Sequence, residues 1–454
     1  MRRIWKAAAA LVVGCMATLT PVNPAHAEAG GTTSTDVTFT GSGGVVLHGT
    51  VRTPPGANGR HPAMVMLEGA GNRGRDYLRT EAEVFARRGI VTLIYDKRTE
   101  GYSLLHRDYS VLADDALAGL QLLRSRPDVD PAQLGMWALS EGAWVAPIAA
   151  NRSDDVKFLI TVGAVGTTPA AQTAWGYDQY LRHAGVTDAV SRALRMDVLP
   201  AAIAAGLFPE DDFDGVPQWR RVRQPVLAEW GELDRDSVPA QSRQIIGDAL
   251  VAGGNSRYQS RIVPGTNHNL HATKAEGFDR QPEMPDDYGA VETAWIESGR
   301  ISEVTVAPAS DSAADPVVVA PWYHRPVALT VMTVLLLAGF LVAPIRRREG
   351  RTGAMWPVRT LAVVGPVAMV GTVGYLMFLL ASAGKVIGPV VLGRPIPWLM
   401  LELLTIGTAA AGITAAVSWW RSGRSRRGRV RLGMAVGAAV LLVPWVASWG
   451  LLAP

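Results

Sequence analysis

The residues with the clearest chemical potential lie in Gly135-Met136-Trp137-Ala138-Leu139-Ser140-Glu141-Gly142. An apolar strand-like run ends in a small residue, a spacer, Ser140, a spacer and Gly142, and a helix-like run follows. Small residues two positions to either side of a serine permit a tight strand-to-helix turn. Such a turn lifts the hydroxyl above the sheet edge and aims the next helix's N-terminus at it. A serine held there is a candidate nucleophile for acyl chemistry once a base removes its proton. The other reading is a helix N-cap serine. Placement after the fourth apolar run and directly before the helix-like Gly142–Asn151 favours the nucleophile.

The elements that would hold this turn alternate along residues 36–300. Strand candidates are Val45–Arg52, Ala63–Glu68, Ile90–Tyr95, Leu134–Leu139, Phe158–Val162, Val226–Trp230 and Tyr258–Val263. Several are short, apolar throughout and bounded by Gly or Pro, as buried parallel strands tend to be. Helix-like runs lie between them at Tyr77–Arg88, Val111–Ser125, Gly142–Asn151 and Ala240–Ala252, with a last one at Asp287–Ser298. The alternation predicts a doubly wound, mostly parallel α/β sheet. One interval breaks the rhythm. No good strand lies between Gly163 and Pro225, and Thr168–Gly206 reads as two or three helices broken at Gly185 and Pro200, so an inserted helical cap is expected over about 167–224.

Leu134–Ala149 resembles bacterial α/β hydrolases of the esterase and serine-aminopeptidase-like group. So does Tyr95-Asp96-Lys97-Arg98 followed by Gly101 and Ser103, which is similar to their "DKRG-x-G-x-S" loop. The resemblance spans about residues 36–300, includes the position of the cap, and stops before the C-terminal region. It implies the α/β-hydrolase fold and a triad in the chain order Ser, acid, His. Gly231-Glu232-Leu233-Asp234, with Val238-Pro239 following, resembles the family's acid loop and implies Asp234 as the carboxylate. The loop is one residue longer than usual, which leaves Asp236 as a competitor. Pro264-Gly265-Thr266-Asn267-His268 after the last strand is where the family keeps its general base, which implies His268, with His271 close by. Glu68-Gly69-Ala70-Gly71-Asn72 resembles the family's His-Gly-x-Gly loop. It implies an oxyanion donor at Ala70 or Gly69, beside the backbone N–H of Glu141. Two departures stand out: Ala138 where the family has Gly, and Glu68 where it has His. Trp175, Tyr177, Tyr180 and Trp219 are read either as lining an acyl pocket under the cap or as cap core. His48, His61, His106, His183 and His324 are read as surface or turn histidines.

Charge divides the chain. Residues 28–324 carry 27 Lys+Arg and 38 Asp+Glu, a net of −11, whereas residues 325–454 carry 14 and 2, a net of +12. Four apolar runs, about 326–345, 358–382, 397–420 and 432–452, have the ~20 residues that a membrane-crossing helix needs. Arg346, Arg347, Arg348 and Arg351 follow the first run, and Arg421, Arg424, Arg426, Arg427, Arg429 and Arg431 follow the third. The loop between the second and third runs holds only Lys385 and Arg394. This alternation places the first span running outside to inside. Trp322, Trp356, Trp398, Trp419 and Trp420 fall near span ends, as interfacial aromatics do. Glu402, inside the third run, is read as a functional candidate or as a structural residue reaching the interface. The Arg residues sit beside membrane-length runs, which excludes a nucleic-acid reading of the basic balance.

Arg2, Arg3 and Lys6, then Ala7–Leu19, then Ala25-His26-Ala27 after Pro21 and Pro24, have the layout of a secretory signal peptide, with an uncleaved anchor as the alternative. Cys15, the only cysteine, lies there in a loose lipobox-like context, Val12-Val13-Gly14-Cys15, which makes its lipidation an alternative. Disulfide chemistry is not expected. The expected organisation is therefore a signal peptide 1–27, an α/β-hydrolase domain 28–301, a linker 302–320 rich in Ala, Ser, Asp and Pro, and a four-helix membrane domain 321–454. The expected location is the cell membrane, multi-pass, with the hydrolase domain extracytoplasmic. No His/Asp/Glu set has metal spacing, so neither metal nor cofactor is expected. The expected function is a membrane-anchored serine carboxylesterase acting through an acyl-enzyme on a small-molecule or lipid-like acyl substrate, with the lipid bilayer as its other partner. A peptidase, thioesterase or acyltransferase uses the same residues, and a catalytically dead sensor domain on a membrane module is the rival from another class.

Overall fold

The computed structural model describes residues 31–56, 59–103, 105–301, 313–342, 356–421 and 426–452. The signal-peptide reading, most of the linker, and Arg346–Arg348, Arg351 and Arg424 lie outside these residues. Two compact units emerge. One comprises the described residues up to Trp175 together with those of Phe208–Asp315; the other comprises Gly176–Leu207 with those from Pro316 onward.

The first unit is built on eight strands: β1 (Thr33–Thr40), β2 (Val46–Thr53), β3 (His61–Leu67), β4 (Val91–Tyr95), β5 (Val129–Leu139), β6 (Leu159–Val162), β7 (Val226–Gly231) and β8 (Tyr258–Val263). Their order in the sheet is β1-β2-β4-β3-β5-β6-β7-β8. Only β1/β2 and β2/β4 pair antiparallel. This mostly parallel, doubly wound sheet matches the α/β-hydrolase arrangement that the resemblance implies. Strands β4, β6 and β7 and the C-terminal parts of β3 (63–67) and β5 (134–139) are buried throughout, which is why these stretches run largely apolar without alternation. Helices α1 (Arg79–Arg87), α2 (Tyr109–Arg124), α3 (Gly142–Ala150), α8 (Pro239–Ala252) and α9 (Ala290–Ser298) flank it. One face packs Leu112, Ala116 and Leu120 of α2 with Ala146 and Ala149 of α3. The opposite face packs Ala82 and Phe85 of α1 with Trp295 of α9. Asp108 caps α2, accepting from the N–H groups of Ser110 at 2.8 Å and Val111 at 3.1 Å.

Strand β1 was not foreseen. It is an edge hairpin partner of β2, and Phe39 is its only buried side chain, so its Thr-rich sequence carries no apolar face to read.

The inserted region forms α4 (Pro169–His183), α5 (Asp188–Ala193), a π-helical turn (Leu194–Val198), α6 (Leu199–Ala204) and the short α7 (Val216–Trp219). Gly176–Leu207 belongs to the second unit, where its contacts run to the apolar helices. The hydroxyl of Tyr177 donates to the Leu380 carbonyl at 3.1 Å. The Thr187 N–H donates to the Gly393 carbonyl at 2.8 Å. His324, expected at the surface, is instead 1% exposed. It stacks on Trp449 at 4.2 Å, reaches Ser448 Oγ at 3.2 Å, and lies 3.6 Å from Asp197. Burial pushes its imidazole down to about 4 and the Asp197 carboxyl up to about 6. Trp449, 125 positions further along the chain, is a packing partner that histidine spacing could not reveal.

The second unit's remaining helices are α10 (Pro326–Val342), α11 (Trp356–Ala381), α12 (Ile396–Arg421) and α13 (Arg426–Ser448). Among the described residues, three segments are long and apolar enough to cross a membrane: Pro357–Ala381, Ile396–Val417 and Val430–Ser448. The first expected run gives only the shorter apolar segment Pro326–Leu341, and residues 343–345 lie outside the described set. Glycines bring these helices close: a Cβ on Gly339 would meet Ala438 at 2.6 Å, and one on Gly412 would meet Ala439 at 2.8 Å. Glu402 accepts from the Arg394 guanidinium and, at 2.9 Å, from Trp398 Nε1. A satisfied ion pair is the structural reading of that residue. Trp398 is buried, while Trp322 and Trp420 are exposed.

In the first unit, Arg261 on β8 ties β7 to the α9 region. Its guanidinium bonds Glu229, Asp287 at 2.7 Å and Glu292 at 3.3 Å, and both glutamates are fully buried. Removing one member of such a cluster strands buried charge. We therefore expect Arg261→Met to lower stability by about 3–5 kcal/mol. A fall in the thermal unfolding midpoint of the full chain in detergent checks this; an unchanged midpoint contradicts it.

Candidate active site

Strand β5 ends at Leu139 and α3 begins at Gly142, so the whole reversal is made by Ser140 and Glu141. Ser140 has φ +52, a left-handed conformation that costs a non-glycine residue energy. Its N–H is fixed to the Val162 carbonyl at 2.9 Å, and the Ala143 N–H closes the turn onto the Ser140 carbonyl at 2.8 Å. The small size of Gly142 has a steric cause. A Cβ on Gly142 would sit 2.8 Å from the Leu67 carbonyl oxygen. Ala138 is fully buried, and its register partners are Leu67 of β3 and Thr161 of β6. Gly69 faces the serine, since a Cβ there would lie 3.2 Å from Ser140 Cβ.

The acid loop leaves β7 at Gly231, where an added Cβ would fall 2.2 Å from the Asn267 carbonyl oxygen. The ends of β7 and β8 are thereby pressed together, and Asp234 meets His268: Oδ2 lies 2.8 Å from Nδ1. The other carboxylate oxygen of Asp234 accepts from the N–H groups of Asp236 at 2.8 Å and Ser237 at 3.0 Å, while the Ser237 hydroxyl donates to Oδ2. The extra loop residue therefore wraps around Asp234. Asp236 contributes its N–H to that carboxylate, and its carbonyl accepts from Gln172. Asp234 is 1% exposed and His268 8%.

Gly163, with φ +58, lies against the imidazole, and a Cβ there would be 2.5 Å from His268 Cε1. The Asn267 side chain organises the loop by accepting from the N–H groups of Asn269 and His271 and donating to the Asp279 carbonyl at 2.7 Å. His271 belongs elsewhere. It is held by the Gln281 carbonyl at 2.7 Å, Glu81 at 3.1 Å and Arg280 at 2.9 Å.

The Gly69–Ala70 loop is braced by a polar cluster that sequence reading missed. The Lys97 ammonium donates to the Gly69 carbonyl and, at 2.8 Å, to Glu141 Oε1. The Tyr102 hydroxyl donates to the same Glu141 oxygen at 2.7 Å and accepts from the Gly71 N–H at 3.0 Å. Arg107 lies 3.2 Å from Glu141 Oε2. Burial works to raise the Glu141 carboxyl, but Lys97 and Arg107, with the Lys97 and Tyr102 hydrogen bonds, outweigh it and hold it below the usual carboxylate range. Glu68, standing where the family has His, accepts from the Arg73 N–H at 3.0 Å, and burial raises its carboxyl against the pull of Lys97. The Tyr95–Arg98 motif was visible in sequence, but its pairing with Glu141, 44 positions away from Lys97, was not.

The four aromatic residues read as pocket or core divide between the units. Trp219 is 1% exposed within the main core, and Trp175 packs with Ala171, Val238 and Ala314. Both are core in the first unit. Tyr177 and Tyr180 belong to the second, where Lys385 sits 4.6 Å over the Tyr180 ring. Among the described residues there is no cluster of three or more metal-ligating side chains.

No family model matches this chain. It is 32% identical over 127 residues to "Polyketide transferase claH" of Penicillium crustosum, covering 27% of this chain and 41% of that protein. It is also 32% identical over 110 residues to "Thiohydrolase aneE" of Aspergillus aculeatus, covering 23% and 34%. The chain thus spans less than half the length of the curated relatives it matches. Among solved structures, the dienelactone hydrolase of Anabaena variabilis is similar at 17% identity and a TM-score of 0.38, over 59% of this chain and 98% of that one.

Gly163 gives a direct test of the geometry. Gly163→Ala combines a strained φ with a collision against His268, and we expect a loss of about 1–3 kcal/mol with a longer Asp234–His268 separation. Thermal unfolding and a structure of the variant check this, and an unmoved imidazole contradicts it.

Proposed function

We propose that this chain is a membrane-anchored serine hydrolase, most simply a carboxylesterase. The observation that carries the reading is the 2.8 Å Asp234–His268 contact on loops after β7 and β8, in the same sheet whose β5 delivers Ser140 on a left-handed turn. In this reading His268 Nε2 takes the Ser140 proton as Oγ attacks the acyl carbonyl, and Asp234 on Nδ1 fixes the tautomer and stabilises the imidazolium. The backbone N–H groups of Glu141 and Ala70 receive the oxyanion. His268 then returns the proton to the leaving group, and water, deprotonated by the same base, releases the acid from the acyl-enzyme.

If Ser140 is activated in this way, the full-length protein labels with a fluorophosphonate probe, and labelling disappears in Ser140→Ala. Labelling that persists in that variant assigns the nucleophile to another residue. Asp234→Asn should lower kcat/KM by several hundred-fold or more, as the ~10⁴ effect of such a change in a serine protease indicates. Asp236→Asn, which leaves the backbone N–H that Asp236 gives to the Asp234 carboxylate in place, should cost far less. The reverse order overturns the assignment.

A second reading has a specific support: the partial relatives carry the names "Thiohydrolase" and "Polyketide transferase". The same constellation would then accept an acyl thioester, or hand the acyl group to an alcohol or amine instead of water. Comparing oxygen-ester and thioester substrates on the same preparation separates the two.

We also propose four spans, with α10 as the first, and an extracytoplasmic hydrolase domain. The basic segments after the first and third apolar runs support this sidedness. Fusions after Ile301 and within residues 383–396 should be active with an outside reporter. A cytoplasmic signal after Ile301 contradicts the arrangement.

A further inference from the structure

The two backbone N–H groups assigned to the oxyanion come from segments far apart in sequence, and one side chain touches both segments. Lys97, on the loop after β4, is 8% exposed. Its ammonium donates to the Gly69 carbonyl and to Glu141 Oε1, and it lies 3.3 Å from the Tyr102 hydroxyl and 4.7 Å over the Tyr102 ring.

The Gly69 carbonyl and the Ala70 N–H belong to one planar trans peptide and so point in opposite directions. A cation that captures the carbonyl therefore fixes the N–H to point the opposite way within that plane. At Glu141 the same ammonium anchors the side chain of the residue whose own N–H is the other donor. Tyr102 and Arg107 complete the cage around that carboxylate, and Tyr102 also accepts from the Gly71 N–H at 3.0 Å. The main-chain carbonyl of Lys97 accepts from Asn72 Nδ2 at 3.0 Å, so both ends of the residue grip the loop.

We propose that Lys97 is a positioning residue for the oxyanion hole: clamped between the Gly69 carbonyl and the Glu141 carboxylate, it sets the relative orientation of the Ala70 and Glu141 N–H groups. This rests on the hydrolase reading above. Lys97 itself neither touches the acyl group nor transfers a proton. Its effect is felt where negative charge develops, because preorganised donors act on the tetrahedral oxyanion more than on the ground-state carbonyl.

The test uses the full-length protein in detergent with 4-nitrophenyl acetate, the active sites being counted by fluorophosphonate titration so that misfolded protein does not enter the rate. Lys97→Met should lower kcat per titrated site by roughly 10–10³-fold, the range that spans partial to complete loss of one oxyanion donor. KM should stay within about twofold. Affinity for a trifluoromethyl ketone, which forms a tetrahedral oxyanion on Ser140, should fall in parallel, while affinity for the matching methyl ketone holds. Lys97→Arg, which keeps charge and donors, should recover part of the loss. If Lys97→Met does not fold, Lys97→Gln is read by the same criteria. A kcat per site equal to that of the unaltered protein, or equal losses toward both ketones, overturns the proposal. An unaltered protein that resists the fluorophosphonate overturns the hydrolase reading instead.

Discussion

A serine held at φ +52 between a buried strand and a buried helix is the constraint around which the first unit is arranged. A left-handed non-glycine residue costs of order 1–3 kcal/mol and persists only where its surroundings over-determine it. Here they do. The Ser140 N–H is tied to β6, the Ser140 carbonyl is tied to α3, and Gly142 lies so near β3 that a Cβ on it would sit 2.8 Å from the Leu67 carbonyl oxygen. Relaxing the turn would require β5 and α3 to separate, and both are buried along their apolar length. Sheet order follows the same need: β3, β5, β6, β7 and β8 run parallel and adjacent, so their C-terminal ends bring the Gly69 loop, Ser140, Gly163, Asp234 and His268 to one edge.

Charge at that edge is arranged asymmetrically. The Asp234 carboxylate is held by two backbone N–H groups, a hydroxyl and the imidazole. The Glu141 carboxylate is held by a lysine, an arginine and a tyrosine, so the negative side chain directly after the serine is neutralised away from the place where an oxyanion would form. Two carboxylates, one next to Ser140 in sequence and one bonded to His268, thus sit in different surroundings, set by their partners.

Much of this was legible because parallel strands bury both faces and read as short apolar runs, and because the serine turn requires small residues at fixed offsets. Seven strands were foreseen, six of them with parallel partners; the seventh, β2, pairs antiparallel on both sides. Strand β1 was not, since an exposed edge strand needs no apolar face, and Thr33–Thr40 has one buried side chain. The Lys97–Glu141 contact was not, because nothing in either local sequence specifies the other. The burial of His324 followed from stacking on Trp449 and an approach to Asp197, partners 125 and 127 positions away. The division of the insert was equally hidden: Tyr177, Tyr180 and Thr187 look like cap residues in sequence, yet their contacts are with Leu380, Lys385 and Gly393.

The central claim is that Ser140 carries the acyl group. It is tested most directly by rapid acid quenching of the full-length protein with 4-nitrophenyl acetate, followed by peptide mass spectrometry. The account predicts a burst of nitrophenol equal to the titrated sites and an acetyl group on Ser140, accumulating further in His268→Ala only as fast as that variant can acylate. A burst with the acetyl group on another residue, or turnover with no covalent intermediate on a folded protein, would contradict it.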